Sequence, residues 1–219
     1  MRATAIVPVK RFGAAKTRLA AALSPEARSL LAEAMLIDVL AGLGRSEALE
    51  ATIVVSSEPL AIRAAEAAGV AVLEDPDDAG HSAAAARGVR EALTRGAECV
   101  ALLPGDCPLL RAAELDDRLD GLRAPAVAVI ADRHGSGTNG LLLGPPDAIE
   151  PAFGPGSRER HLKLAREAGV KADVLAFPSL ALDLDTAEDL KELIRVLEAQ
   201  PERAPRTAAA LAPGGRDAG

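Results

Sequence analysis

The sequence predicts a Rossmann-like three-layer α/β/α fold built on a mostly parallel sheet. Two observations lead there. Short apolar runs of strand length alternate with longer helical patterns along nearly the whole chain, and several helical stretches end at a glycine, at Gly44, Gly69, Gly96 and Gly169. A chain of 219 residues fits one domain with a substantial core. Sheets of this kind bind ligands beyond the C-terminal ends of their strands, so the loops that follow the strands are where chemistry is to be sought.

The elements follow in order. Ala3 to Val9 reads as the first strand. Ser24-Pro25 starts a helix, with Ser as N-cap and Pro at the first helical position, and the pattern runs to Leu43. Thr52 to Ser56 is a strand, Pro59 to Ala68 a helix and Val70 to Leu73 a short strand, followed by an acidic loop. His81 to Arg95 is helical. Cys99 to Leu103 is a buried strand that stops in Pro104-Gly105-Asp106-Cys107-Pro108. Ala112 to Leu122 is a helix, Ala126 to Ala131 a strand, and Asn139 to Leu143 a strand suited to a sheet edge. Arg158 to Ala168 is a helix. Val170 to Leu175 and Leu180 to Leu182 are short strands, and Thr186 to Ala199 is a helix capped by Asp185 or Thr186. From Pro201 onward the chain is Pro, Ala, Gly and Arg without periodicity. The expected organisation is a folded domain over 1–199 and a disordered tail over 200–219.

Composition excludes several classes of function. The formal net charge is −7, and there is no Trp, no Tyr and only three Phe. Neither a broad electrostatic surface for nucleic acid nor a base-stacking platform is expected. No apolar run reaches membrane-span length and no signal peptide opens the chain, so no membrane partner and a cytoplasmic location are expected. The two cysteines, Cys99 and Cys107, form no metal or redox motif. Cys107 reads as structural, since no histidine stands near it in sequence.

Against this acidic background the loop after the first strand is cationic. Lys10, Arg11, Lys16 and Arg18 fall within nine residues, and no Asp or Glu precedes Glu26. Such a loop suits a phosphate. The loop has a single glycine, Gly13, and neither a Walker A nor a dinucleotide-binding pattern, so side-chain cations rather than backbone amides alone would neutralise charge. Lys10, Lys16 and Arg18 could clamp a triphosphate. Asp106 follows a buried strand, and Asp183 and Asp185 alternate in LDLD, which would place both on one face of an extended segment. Three carboxylates meeting near phosphates suit Mg²⁺. Asp185 also suits an N-cap, and Asp106 a turn. Two Gly-rich stretches, Gly135 to Gly140 and Phe153 to Ser157, each precede a regular element. Ser157 begins a helix whose free N–H groups would make a second anion site, or the stretches are ordinary turns. Of the three histidines, His161 lies near that second site.

Together the stretches VPVKRFGAAKTRL, PGDCPLL, GTNGLLL, FGPGS and LDLDT resemble the 2-phospho-L-lactate/phosphoenolpyruvate guanylyltransferases of coenzyme F(420) biosynthesis, over about residues 1 to 199. The resemblance implies a nucleotide-diphospho-sugar transferase (GT-A-like) fold and a nucleotidyltransferase domain over 1–199. It also implies GTP and a phosphorylated three-carbon acid as substrates, and Mg²⁺ as cofactor. By the same resemblance Thr138, Gly154 and Ser157 hold the acid. Pro8, Lys10, Lys16, Ser82, Pro104 and Asp106 contact the nucleotide, and Asp106, Asp183 and Asp185 hold the metal. Lys10, Lys16, Arg18 and Asp106 carry catalysis. One stretch departs from the family pattern. Where a Gly-Leu-Asn usually contacts the nucleoside, this chain reads Gly80-His81-Ser82, and Ser is shorter than Asn. The Ala- and Arg-rich composition, typical of a GC-rich bacterial genome, inclines the acid toward phosphoenolpyruvate over 2-phospho-L-lactate. Another nucleotidyltransferase of this fold and a non-catalytic nucleotide-binding module are the rival readings. A homo-oligomer is compatible with the sequence.

Overall fold

The computed structural model describes residues 2–12, 19–20 and 22–212. Its centre is a seven-stranded sheet of β1 (Ala3–Pro8), β2 (Leu49–Ser56), β3 (Ala71–Glu74), β4 (Cys99–Leu102), β5 (Ala126–Ala131), β6 (Thr138–Gly144) and β7 (Lys171–Leu175), in the order β3-β2-β1-β4-β6-β5-β7. β1 pairs in parallel with β2 and β4, and β5 pairs in parallel with β7. β6 runs antiparallel between β4 and β5. The sequence is compatible with an edge for this strand. Its run Asn139 to Gly144 is buried throughout, which is what an interior position requires.

The pleat sends alternate residues into two helical layers. Ala3, Ala5 and Val7 face a core shared with α1 (Pro25–Leu43), α2 (Pro59–Ala67), α4 (Ala112–Gly121) and α6 (Ala187–Ala199). Ile6 points the other way, into a core with Ile53, Val55 and Leu102 that is closed by α3 (His81–Thr94) and α5 (Ser157–Glu167). The predicted caps form. Ser24 Oγ accepts from Ala27 N at the start of α1, and Thr186 and Asp189 make a reciprocal capping box on α6.

Two expectations are corrected. Leu180 to Leu182 is no strand: Pro178–Leu180 forms a 3₁₀ turn, and the chain then runs without regular structure to α6. Within the segment read as a disordered tail, a 3₁₀ turn (Pro201–Arg203) leads into a short helix, α7 (Pro205–Leu211), which packs on α1, and residues 213–219 lie outside the described residues. Ala204 and Leu211 are buried in the larger core. Asp38 of α1 accepts from Thr207 Oγ1 at 2.7 Å and Thr207 N at 2.8 Å, capping α7 from a distance. Among the described residues no helix is long and apolar enough to cross a membrane.

Candidate active site

The chain passes from β1 to β2 and β3 on one side, then returns to β4 on the other side of β1. A crevice is therefore left beyond the C-terminal ends of β1 and β4, where open α/β sheets place ligands. A pocket of about 620 Å³ occupies that position. Its lining includes Pro8, Lys10, Pro104, Asp106, Thr138, Gly154, Ser157, Asp183 and Asp185, so nine of the residues singled out in the sequence meet at one cavity. A larger, more open groove of about 1120 Å³, lined by residues such as Arg45, Glu114 and Arg203, borders none of them.

The first wall is the loop after β1. Val9 N donates to Val55 O at 2.9 Å, Ser56 Oγ donates to Val9 O at 2.8 Å, and Phe12 N donates to Glu58 Oε2 at 2.9 Å. These bonds fix the backbone on either side of Lys10, whose exposed side chain borders the pocket. Arg11 turns away and faces Asp78 at 3.8 Å. Lys16 and Arg18 lie outside the described residues.

The floor is made by the loop after β4. Leu103 N continues the ladder to Ile6 O at 2.9 Å, and Pro104-Gly105-Asp106 then turns into the cavity. Cys107 is buried beneath it, its Sγ 3.7 Å from Leu180 O, as a structural cysteine would be. Burial pushes the other thiol, Cys99, up to about 11.

Asp183 and Asp185 face Asp106 from the segment before α6. Leu184 between them is buried while Asp183 and Asp185 are not, so the alternation of burial expected of a strand survives outside any strand. Asn139 Nδ2 donates to Asp183 Oδ1 at 3.2 Å and to Leu180 O at 2.8 Å. Asp185 N and Thr186 N both donate to Asp189 Oδ2, at 3.1 and 2.6 Å, and Arg133 pairs with Asp189 Oδ1 at 2.7 Å. Burial and then the charge of Asp106 raise the Asp183 carboxyl above its ordinary value, with Asp185 adding to the effect. Crowded carboxylates of this kind favour a cation. Among the described residues no group of three His, Cys, Asp or Glu side chains is arranged to hold a metal alone.

The far wall holds Thr138, Gly154 and Ser157. Gly154 adopts φ 108°, a conformation that L side chains rarely enter. Ser157 Oγ and Thr138 Oγ1 are 3.1 Å apart, and His161 Nδ1 lies 3.1 Å from the same Thr138 oxygen. The sequence pointed to free amides at the start of α5. Two of them are already engaged: Ser157 N donates to Gly154 O at 3.0 Å and Arg158 N to Ser136 O at 3.3 Å. The hydroxyls are therefore the better anion donors here.

Ser82 departs most from its expected place. Its Oγ accepts from Phe153 N at 2.9 Å, and it does not border the pocket. His81 borders the pocket in its stead, with its ring edge-on to Phe153 at 4.7 Å. Burial lowers His81 to about 4, with Asp106 opposing that shift and Lys10 reinforcing it. Sequence reasoning passed over Asn139, His81 and Asp189 as site residues. Asn139 carried a signal in its place beside Thr138 in GTNG, and His81 in its place beside Ser82 in the stretch that departs from the family pattern.

The family model described as "Guanylyl transferase CofC like" matches residues 3–200. The phosphoenolpyruvate guanylyltransferase of Conexibacter woesei is 46% identical over 195 residues, covering 88% of this chain and 87% of that protein. The 2-phospho-L-lactate guanylyltransferase of Methanothermobacter thermautotrophicus is 36% identical over 194 residues, covering 89% and 85%. Among solved structures, a Desulfovibrio desulfuricans G20 protein described as a nucleotide-diphospho-sugar transferase superposes with a TM-score of 0.76 at 19% identity, covering 96% of this chain and 94% of that one. At that identity the likeness is one of fold. With a match over nearly its whole length, this chain belongs to the CofC-like guanylyl transferase family.

Proposed function

We propose that the protein transfers GMP from GTP to phosphoenolpyruvate, giving enolpyruvyl-2-diphospho-5'-guanosine and pyrophosphate. The observation that carries this reading is one pocket with a cation, Lys10, at one wall, the carboxylates Asp106, Asp183 and Asp185 at its floor, and the hydroxyls of Thr138 and Ser157 at the other. Two anionic substrates need opposite walls, and a metal-binding floor suits the phosphates where they meet. The activity named for the Conexibacter relative supports phosphoenolpyruvate as the acid. That of the Methanothermobacter relative supports 2-phospho-L-lactate as the second reading.

In this proposal the acid's phosphate oxygen attacks the α-phosphorus of GTP in line. A P–O bond forms there as the bond to the β-phosphate oxygen breaks, and pyrophosphate leaves. The nucleophile is already anionic at neutral pH, so no general base is assigned. Asp106, Asp183 and Asp185 would hold Mg²⁺, which when bound neutralises charge across the phosphates. Lys10 offsets charge on the triphosphate, and Lys16 and Arg18 keep that role on sequence grounds. Thr138, Gly154 and Ser157 orient the acid. Most of the rate gain then comes from positioning and electrostatics.

The test is pyrophosphate release from GTP and mass spectrometry of the product, with the two acids offered separately and in competition. The phosphoenolpyruvate adduct should predominate. Asp106→Asn should lower turnover about a hundredfold or more with an unchanged melting temperature. Near-normal turnover in that variant sinks the metal assignment, and GTP binding without pyrophosphate from either acid sinks the reaction.

A further inference from the structure

The hydroxyl pair on the far wall is not free to orient itself. His161 is fully buried on α5, behind Thr138 and outside the lining of the cavity. Its Nε2 lies 2.9 Å from Ala152 N, and a backbone N–H can only donate. Nε2 must therefore accept, so the proton of the neutral ring sits on Nδ1. Nδ1–H is then the donor to Thr138 Oγ1 across 3.1 Å. The T-shaped contact with Phe153, centroids 5.2 Å apart, fixes the ring plane.

The consequence is a count of protons. Thr138 Oγ1 accepts from His161 and shares a second hydrogen bond with Ser157 Oγ. Two hydroxyls can exchange only one such bond between them. Whichever donates to the other, one O–H proton of the pair is left over, and both residues line the cavity. If Nδ1 were an acceptor, Thr138 would have to spend its own proton on the histidine. Ser157 would then spend its proton on Thr138, and no donor would face the ligand.

We propose that His161 is a positioning residue that, by donating from Nδ1 to Thr138, commits the Thr138–Ser157 pair to present one O–H proton to an anionic oxygen of the acid substrate. The inference rests on the reading that this wall receives the acid. His161 does not touch substrate; it acts through Thr138. A family of acids sharing a carboxylate or phosphate at that wall would all gain from the same device, and an acceptor-only histidine would discriminate against them.

The two ring nitrogens can be replaced separately. An Asn amide nitrogen stands near the Nδ1 position and can donate to Thr138. A Gln amide oxygen reaches the Nε2 position and can accept from Ala152. Steady-state kinetics on the full-length enzyme, varying GTP and phosphoenolpyruvate in turn, should separate the roles. His161→Gln should raise the KM for the acid about tenfold, the scale of one lost hydrogen bond to a charged group, and leave the KM for GTP unchanged. His161→Asn should hold the acid KM within about threefold of wild type. Equal effects of the two variants, or a parallel rise in the GTP KM, overturn the proposal. Thr138→Val serves as the separate check on the site. If it leaves the acid KM unchanged, the acid-site reading falls and this inference with it. If it raises the acid KM while His161→Gln does not, only the inference falls. Should a His161 variant not fold, nitrogen-15 imidazole spectra of the wild-type enzyme decide independently. A proton on Nδ1 at neutral pH is the expected result, and an Nε2–H tautomer or an imidazolium overturns it.

Discussion

Asn139 and Asp183 are joined across the floor of the candidate active-site pocket, Nδ2 to Oδ1, at 3.2 Å. The other Asn139 amide hydrogen goes to Leu180 O at 2.8 Å, so one buried side chain ties the start of β6 to the segment carrying two of the proposed metal ligands. That segment has no strand partner of its own, and its placement depends on this amide at one end and on Asp189 at the other. Asn139→Leu keeps the bulk and removes both donors. It should lower kcat/KM by about ten- to a hundredfold through misplacement of the carboxylate. Titration of activity with Mg²⁺ should show a higher half-saturating concentration. Unchanged Mg²⁺ dependence would detach Asn139 from the proposed metal site.

Gly88 lets α3 lie directly on the sheet. A Cβ there would stand 2.4 Å from Ile6 Cγ2 and 3.1 Å from Val55 Cγ2, and both of those side chains are fully buried. Alanine improves intrinsic helix propensity by about 1 kcal/mol. Overpacking against groups that cannot withdraw costs about 1–3 kcal/mol, and here it wins. Gly88→Ala should lower the melting temperature by a few degrees and shift His81, at the start of α3, relative to Lys10. Calorimetry of the variant checks the first effect, and the KM for GTP checks the second.

The sequence made the alternation of strands and helices legible because each element carries its own periodicity and several carry their own stops. It also exposed the acids and cations at the strand ends, since charged residues directly after buried runs have few other places to go. What it hid depended on partners far along the chain. Leu180 to Leu182 has the alternation of a strand, but β7 already forms the sheet edge and Pro178 opens a 3₁₀ turn. Ser82 holds the position of a nucleoside contact in the family pattern, yet the nearby Phe153 amide claims its oxygen and leaves His81 at the pocket. Residues 201–212 show no periodicity of their own, and they are held by a carboxylate on α1 and by the burial of Ala204 and Leu211 in the larger core.

That carboxylate gives a third prediction. Asp38 is buried and accepts from Arg206 N, Thr207 N and Thr207 Oγ1, satisfying the first turn of α7. Asp38→Ala leaves the hydroxyl and two amides without that acceptor and should destabilise the protein by about 2–4 kcal/mol. Turnover of the folded fraction should be unaffected, because none of these residues borders the active-site pocket. Ending the chain at Gln200 should produce a comparable loss, since it strips Ala204 and Leu211 from the core. Urea unfolding alongside initial rates separates the two effects. A stable Asp38→Ala protein would mean that α7 is held by apolar packing alone.

The tautomer assigned to His161 also has a cost in acid. Burial, with Arg160 nearby, lowers its pKa to about 4 from the ordinary 6.5. An added proton would set an Nε2–H donor against the Ala152 N–H donor. The unfolded chain takes up that proton as pH falls through 6.5, and the folded chain resists it until about 4. Stability contributed by the neutral ring is therefore fully present above 6.5, declines as pH falls from there, and declines no further below about 4. At about 1.4 kcal/mol per unit, and with less than complete expression of the shift, the loss by pH 5 is on the order of 1–2 kcal/mol. His81, lowered to about the same value, adds a parallel loss that persists when His161 is replaced. Urea unfolding of wild type and His161→Asn at pH 7 and pH 5 isolates the His161 share. The stability difference between the two pH values should shrink in the variant by about 1–2 kcal/mol. Equal differences in the two proteins would mean that the ring accommodates its proton, and the hydrogen bond from Ala152 would then not fix its tautomer.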